Sequence, residues 1–512
     1  MRILPDTCDF VQNDAMRRHN VLIRLFQIGV FLSLLLFGYS HLYSPLYSHL
    51  NKSLSSWRDE ELVVVIAQDS TLSDEEFSKQ LAQQFADHLY VPLKIILVPA
   101  DQIETTLRKH QAHFSASGFR LDQKNNGLLL GPGYLTAIEQ VAFNQDQDAP
   151  RHLSDLAGKR IAVVAGSNHE KALIALRQEI PDLKWESRTT QTVEDLLREV
   201  AQGSLDFTIA NHEQISQMLN YYENLAVAFD IGKPSKLAWA FPSDAENELI
   251  AEAEQFFAEI QKNGELHKLL DRYYGHNDRL APLDAAEFIE QTAKTLPKFR
   301  ELFEKAGRAV NEDWRLIAAM AYQESHWDPL ATSFTNVRGM MMLTEATADR
   351  MNVSNRLDAR ESIIAGAKYL ELIKKQLPSR VEEPERTWLA LSAYNQGQGH
   401  LEDARILTQR KGGNADTWVE VKKWLPSLNN PVYFEKLKHG YARGGEAVIF
   451  VENIRAYYDM LSRLTGDAGN TPTHDYQLVS TRDKPAFSLH TPHKSKAVLG
   501  NELAGSPYSL SE

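Results

Sequence analysis

Apolar and polar residues follow two different rhythms along this chain. Short apolar runs at 62–67, 92–98, 160–164 and 206–210 are separated by stretches of helical periodicity at 74–89, 101–111 and 193–202. Runs of about four to eight apolar residues read as buried strands, and apolar positions three or four apart read as one face of a helix. Strands alternating with helices predict βαβ units on a parallel sheet, here one two-lobed α/β domain over residues 58–280. From residue 314 to about 464 the pattern is almost wholly helical, clearest at 365–376, 387–394 and 446–461, with Gly and Asn clusters in the loops. The segment 281–302, broken by Pro282 and Pro297, joins the two halves. The chain therefore reads as multidomain, with an N-terminal α/β domain at 58–280 and a C-terminal, mainly α domain at 281–465.

The flanks carry no such rhythm. A basic N-terminal segment, 1–20, leads into an apolar segment, 21–39, whose uninterrupted part after Arg24 is 15 residues broken only by Gln27. That is short for a spanning helix, which needs about 20 residues, and long enough for a signal h-region. No small-residue cleavage site follows, so an uncleaved anchor is favoured over a removed signal; Met16 offers an alternative start. Either way the bulk of the chain is expected on the exported side. Residues 40–57 read as a linker. Residues 466–512, rich in Ser, Thr, Pro and His, read as a disordered tail.

Composition narrows the function. At 512 residues two or three domains are expected. A net charge of −13 and the absence of a basic stripe argue against nucleic acid as a partner. Cys8 is the only cysteine, so there is neither an internal disulfide nor a Cys-based metal site. The histidines, including His326 and His400, lack ligand spacing, and no metal or cofactor is expected.

One stretch of the helical half carries chemistry. Asn311 is a plausible N-cap with Glu312 and Asp313 in the first turn, and Asp328-Pro329 a plausible end. Between them Ile317, Met320, Ala321 and Glu324 share one helical stripe. A glutamate on a core-facing stripe is costly to ionise, so its pKa rises, which suits a general acid or base near neutral pH. The structural alternative is a hydrogen-bonded Glu at a helix end.

Two resemblances follow from motifs. Residues 155–163 (Asp-Leu-Ala-Gly-Lys-Arg-Ile-Ala-Val), 203–207 (Gly-Ser-Leu-Asp-Phe) and Asn263-Gly264-Glu265-Leu266 with Tyr274 resemble the amino-acid-binding type of periplasmic solute-binding domain. The resemblance implies a possible small muropeptide or amino-acid-like ligand, with Arg120 as a carboxylate clamp and Asp206 as a further candidate. Arg120 lacks the usual Ser/Thr-rich, Pro-containing surroundings, and for Asp206 the reading as a strand cap is favoured. Farther on, Glu324-Ser325-His326-Trp327-Asp328-Pro329, then Val337 to Thr344, then Ala393-Tyr394-Asn395-Gln396-Gly397, resemble in order and spacing the soluble-lytic-transglycosylase domain, a lysozyme-like helical fold.

That second resemblance implies a peptidoglycan lyase that cleaves the β-1,4 bond between N-acetylmuramic acid and N-acetylglucosamine, leaving a 1,6-anhydromuramyl end. Glu324 matches its single catalytic acid. Ser333, Met341, Met342, Tyr394 and Asn395 match residues lining its substrate cleft. Implied partners are peptidoglycan glycan strands and a membrane, peripheral to the outer membrane or through an inner-membrane anchor. Met342 replaces a usual Gln, and Phe334, Asn336 and Phe450 also depart from the common pattern. Two other functions remain open: a non-catalytic peptidoglycan-binding or sensory protein, and a hydrolytic muramidase with a second carboxylate across the cleft.

Overall fold

Two long strands decide the architecture of the N-terminal half. The computed structural model describes residues 57–58, 61–123, 127–222, 224–277, 280–333 and 335–465, and the backbone of Gln477–Ser480. Nine strands form one sheet: β1 (Leu62–Ala67), β2 (Leu93–Val98), β3 (Phe114–Arg120), β4 (Leu129–Asn144), β5 (Ile161–Val164), β6 (Glu186–Arg188), β7 (Phe207–Asn211), β8 (Leu225–Phe241) and β9 (Gln477–Ser480). Their order is β6-β5-β7-β4-β8-β3-β1-β2-β9. The expected parallel pairing holds for β1 with β2 and β3, and for β5 with β6 and β7. It fails at the centre, where β4 and β8 run antiparallel to each other along their whole length, from Leu129↔Phe241 to Asn144↔Leu225.

The physical reason is in the register. The β4–β8 ladder shifts at four places, around Gly133 among others. Each irregularity breaks the period-two alternation by which a strand is read from sequence. These strands bridge two separate cores. One, around Val64, Phe85, Trp239 and Phe257, is covered by the helices Leu72–Leu89, Asn247–Lys262 and Glu265–Tyr274. The other, around Val141, Ile161, Leu173 and Ile209, lies under the helix Asn168–Leu176. A cavity of about 110 Å³ separates them.

Local chemistry sets the element ends. The helix Leu72–Leu89 starts where the Thr71 side chain accepts a bond from Asp74 N, and it stops where Tyr90 turns left-handed. The segment 466–512, expected without structure, contributes β9, which pairs with β2 at the sheet edge. An edge strand presents unpaired backbone groups that another extended segment can satisfy. The apolar segment 21–39 lies outside the described residues; among these, no helix is long and apolar enough to cross a membrane.

The C-terminal half is helical around one core, and its central helix, Trp314–Ser325, is buried from Arg315 to Tyr322. A helix apolar all round belongs in the middle of a domain. The segment 281–302 is not a mere joint. Most of it forms the helix Pro282–Lys294, which places Ala285 and Phe288 in this core, and its end opens the helix Leu296–Val310. Asn311 is not the N-cap of the central helix. It closes the preceding helix at φ 54°, a left-handed turn Asn tolerates, and Asp313 is the cap, accepting from Arg315 N.

The halves meet through buried charges on the C-terminal helix Gly444–Leu464. Arg455, 2% exposed, donates to Asp271 Oδ2 at 2.9 Å and to both oxygens of Glu452 at 3.1 Å. Lys422 joins the same two acids, and Trp418 Nε1 donates to Glu452 at 2.6 Å. One and two turns on, Asp459 meets His276 at 2.5 Å and Arg463 meets Glu194 at 2.9 Å. Removing one partner of a buried pair leaves the others uncompensated. Arg455→Ala is therefore expected to cost about 3–5 kcal/mol of stability. Arg443→Ala, which breaks the exposed pair with Glu446, should leave the urea-unfolding midpoint unchanged.

Candidate active site

The central helix stops directly behind Glu324. It ends at Ser325, and His326 and Trp327 follow at φ 51° and 58°, two consecutive left-handed residues that reverse the chain. The end thus falls three residues before the Asp328-Pro329 breaker. Trp327 is buried against Phe288 and Tyr322, and its Nε1 donates to Ala318 O at 2.8 Å. Burying that indole and satisfying its N–H offsets a backbone conformation that bulky residues avoid. Asp328 caps the next turn, accepting from Leu330 N at 2.9 Å.

The returning loop is folded over the helix end and pinned from several sides. Ser325 Oγ donates to Met340 O at 2.8 Å. Arg356 Nη1 donates to Asn336 O at 2.8 Å and Leu343 O at 3.0 Å, and Met341 N donates to Ser362 Oγ at 3.1 Å. The tightest point is Gly339, at φ 84°, where a Cβ would stand 1.8 Å from Arg356 O. Only glycine fits there, for the angle and for the space.

Glu324 sits at this junction. It is partly exposed, yet protein surrounds it so closely that burial alone pushes its carboxyl up to about 8. Burial is the only cause of the shift, so no neighbouring carboxylate contributes to it. Tyr394, on the helix Glu385–Gln396, faces it from the far wall. Burial raises the phenol well above its usual range, and the charge of Glu324 adds to the effect. The Tyr394 hydroxyl donates to Met341 O at 3.0 Å, which ties that wall to the loop.

The other sequence-derived candidates fall at different places. Met342 is half-buried at φ 43°, on the loop that covers the helix end. Met341 is fully buried and packs against Gly366, so its side chain is core and cannot line a cleft; only its carbonyl reaches Tyr394. Asn395 is exposed at the helix end beside Tyr394. Ser333 is turned into its own loop, accepting from Val337 N at 3.1 Å and sharing a bond with Thr335 Oγ1 at 2.9 Å. Arg356 and Ser362 were missed from the sequence. Each acts through backbone atoms of the loop, and nothing in their local pattern marks that role.

In the α/β half the two candidates do not form a site. Arg120, 3% exposed, is taken up by Asp122 at 2.9–3.0 Å, by Glu139 at 3.4 Å and by Lys233 O at 2.8 Å. It does not line the cavity between the two cores. Asp122 and Glu139 neutralise the guanidinium inside the fold, and Glu139 also meets His169 at 2.5 Å. Asp206 lies away from the cavity as well. It caps its strand by accepting from Arg160 N at 2.8 Å and holds the Arg160 guanidinium. Among the described residues, no group of His, Cys, Asp and Glu could hold a metal ion.

Known proteins resemble this chain in both of its halves. Residues 301–417 match the family described as Transglycosylase SLT domain. The chain is 46% identical over 385 residues to membrane-bound lytic murein transglycosylase F of Nitrosospira multiformis, covering 75% of this chain and 80% of that one. It is 43% identical over 408 residues to the protein of the same name from Pseudomonas syringae pv. syringae, covering 76% and 79%. Among solved structures, a mutant of ArgBP from T. maritima aligns at 19% identity with a TM-score of 0.38, over 42% of this chain and 95% of that one. With an SLT domain over residues 301–417 and relatives matched across both halves, the chain belongs to the membrane-bound lytic murein transglycosylase F family.

Proposed function

We propose that Glu324 is the one acid–base group of a lytic transglycosylase acting on the bond between N-acetylmuramic acid and N-acetylglucosamine. The observation that carries the reading is its carboxyl, raised to about 8 by burial alone. At neutral pH it holds a proton, as a general acid must. That proton passes to the glycosidic oxygen as the C1–O bond breaks. The resulting carboxylate then takes the proton of the muramyl C6 hydroxyl, and O6 closes on C1 to give the 1,6-anhydro ring. The nucleophile belongs to the substrate, so the pair of carboxyls used by retaining and inverting hydrolases is not needed.

Tyr394 and the Met340–Met342 loop form the surroundings in this reading. The phenol stays protonated near the acid; its proton is held by Met341 O, and its oxygen can accept from a sugar hydroxyl. Met342 offers an apolar side to a sugar face, Asn395 an amide at the rim, and Ser333 a hydroxyl on the adjoining loop. We further propose that the chain is exported and membrane-associated, supported by the apolar segment 21–39 and by the membrane-bound designation of the relatives. The cavity between the two cores of the α/β half supports binding of a small muropeptide or amino-acid-like ligand, without an Arg120 clamp.

Three outcomes test this. Digestion of purified peptidoglycan is expected to give fragments one water lighter than hydrolysis products. Glu324→Gln should lower the rate by at least about 1,000-fold, and reducing-ended products would move the assignment to a hydrolase. Because the folded pKa of Glu324 lies above its unfolded value, its stabilising effect is complete below about 4.5 and disappears as pH rises toward about 8. The melting temperature of the wild type should therefore fall relative to Glu324→Gln across that window, and kcat/KM should decline above about 8. Tyr394→Phe is expected to reduce kcat by about 10- to 100-fold with a smaller change in KM, measured on the same substrate.

A further inference from the structure

A second cavity, of about 290 Å³, opens between the helices His212–Leu219 and Glu265–Tyr274. It adjoins the smaller cavity between the two cores, sharing Leu135, Glu213 and Tyr274 with it. At about 30 Å³ per water it would hold on the order of ten waters, the scale of a small organic molecule.

Its floor is polar and buried. Asn277 is 5% exposed, its carbonyl accepts from Asn220, and its Nδ2 has no hydrogen-bond partner among the described residues. A buried amide donor is costly to leave unmet, so its presence in a cavity wall points to an acceptor on an occupant. Ser216, 3% exposed, adds a hydroxyl to the same floor. Leu135, Leu270 and the Tyr274 ring supply apolar walls; the Tyr274 hydroxyl is engaged by Asp74 on the other side. His267 stands exposed at the rim.

Charge limits what fits. The lining holds no Lys or Arg to meet an anion. Of its two acids, Asp271 is already neutralised by Lys422 and Arg455, and Glu213, shared with the smaller cavity, is an acceptor for hydroxyl groups. Apolar walls with a donor-bearing floor suit a ring that has carbon faces and hydroxyl or amide edges. We propose that this cavity is a binding site for a neutral saccharide, separate from the groove at Glu324. Here Asn277 Nδ2 donates to a sugar hydroxyl or N-acetyl oxygen, and Leu270 and Tyr274 pack against the ring.

Titration of the full chain with N-acetylglucosamine, followed by saturation-transfer NMR, tests the site. Saturable binding is expected. It should weaken by about tenfold or more in Asn277→Leu and in His267→Trp, with lytic activity on peptidoglycan unchanged. His267 is exposed, so its variant keeps the fold and decides the matter if Asn277→Leu does not. No saturable binding overturns the proposal. So does undiminished binding in His267→Trp, which would put the sugar in the catalytic groove. Tighter competition by L-arginine than by the free sugar would overturn the ligand class.

Discussion

The structure turns on one carboxyl that is closely surrounded by protein and still partly exposed. Glu324 ends a helix buried from Arg315 to Tyr322, so the chain around it has to close the core within a few residues and leave the carboxyl at its edge. The two left-handed residues His326 and Trp327 do this by reversing the backbone immediately behind the acid. The loop then returns over the helix end, held by Ser325, Arg356 and Ser362 through backbone atoms. Its close approach at Gly339 leaves no room for a side chain. Burial of the carboxyl, and with it the raised pKa, follows from this closure and not from a partner charge.

The C-terminal helix Gly444–Leu464 links that closure to the rest of the chain. Val451 and Ile454 sit in the core shared with the central helix. Arg455, Asp459 and Arg463, four residues apart, form a stripe that meets Asp271, His276 and Glu194 of the α/β half. Buried ion pairs add little net stability compared with apolar packing, but they tolerate few alternative arrangements. They fix where the α/β half sits against the helix that backs the site.

The α/β half closes its centre with its own charges. Its Arg120 is not available to an incoming carboxylate, because Glu139 and Asp122 occupy it inside the fold. The polar surface that remains open lies in two cavities, one between the cores and one beside the helix Glu265–Tyr274, which itself carries Asp271 of the interdomain network.

The order of domains and the special status of Glu324 were legible from the chain alone. Apolar runs such as 62–67 carry a period that burial enforces, and a glutamate on the Ile317–Met320 stripe stands out because its charge conflicts with its position. The joint spacing of Glu324, Gly339 and Tyr394 pointed to the family for the same reason: local chemistry is written in residue type and interval. What the interval could not carry was decided in three dimensions. The long strands β4 and β8 escaped notice because their bulges break the alternation, and bulges become favourable only once a neighbouring strand supplies the ladder. Met341 and Met342 are adjacent and alike in sequence, yet one is core and the other half-buried over the helix end, because a turn through left-handed Met342 separates them. Whether Arg120 is a clamp or a buried ion pair depends on Glu139 and Lys233, which are 19 and 113 residues away. A side chain's type is local, but the partners that fix its charge and exposure are brought by the fold.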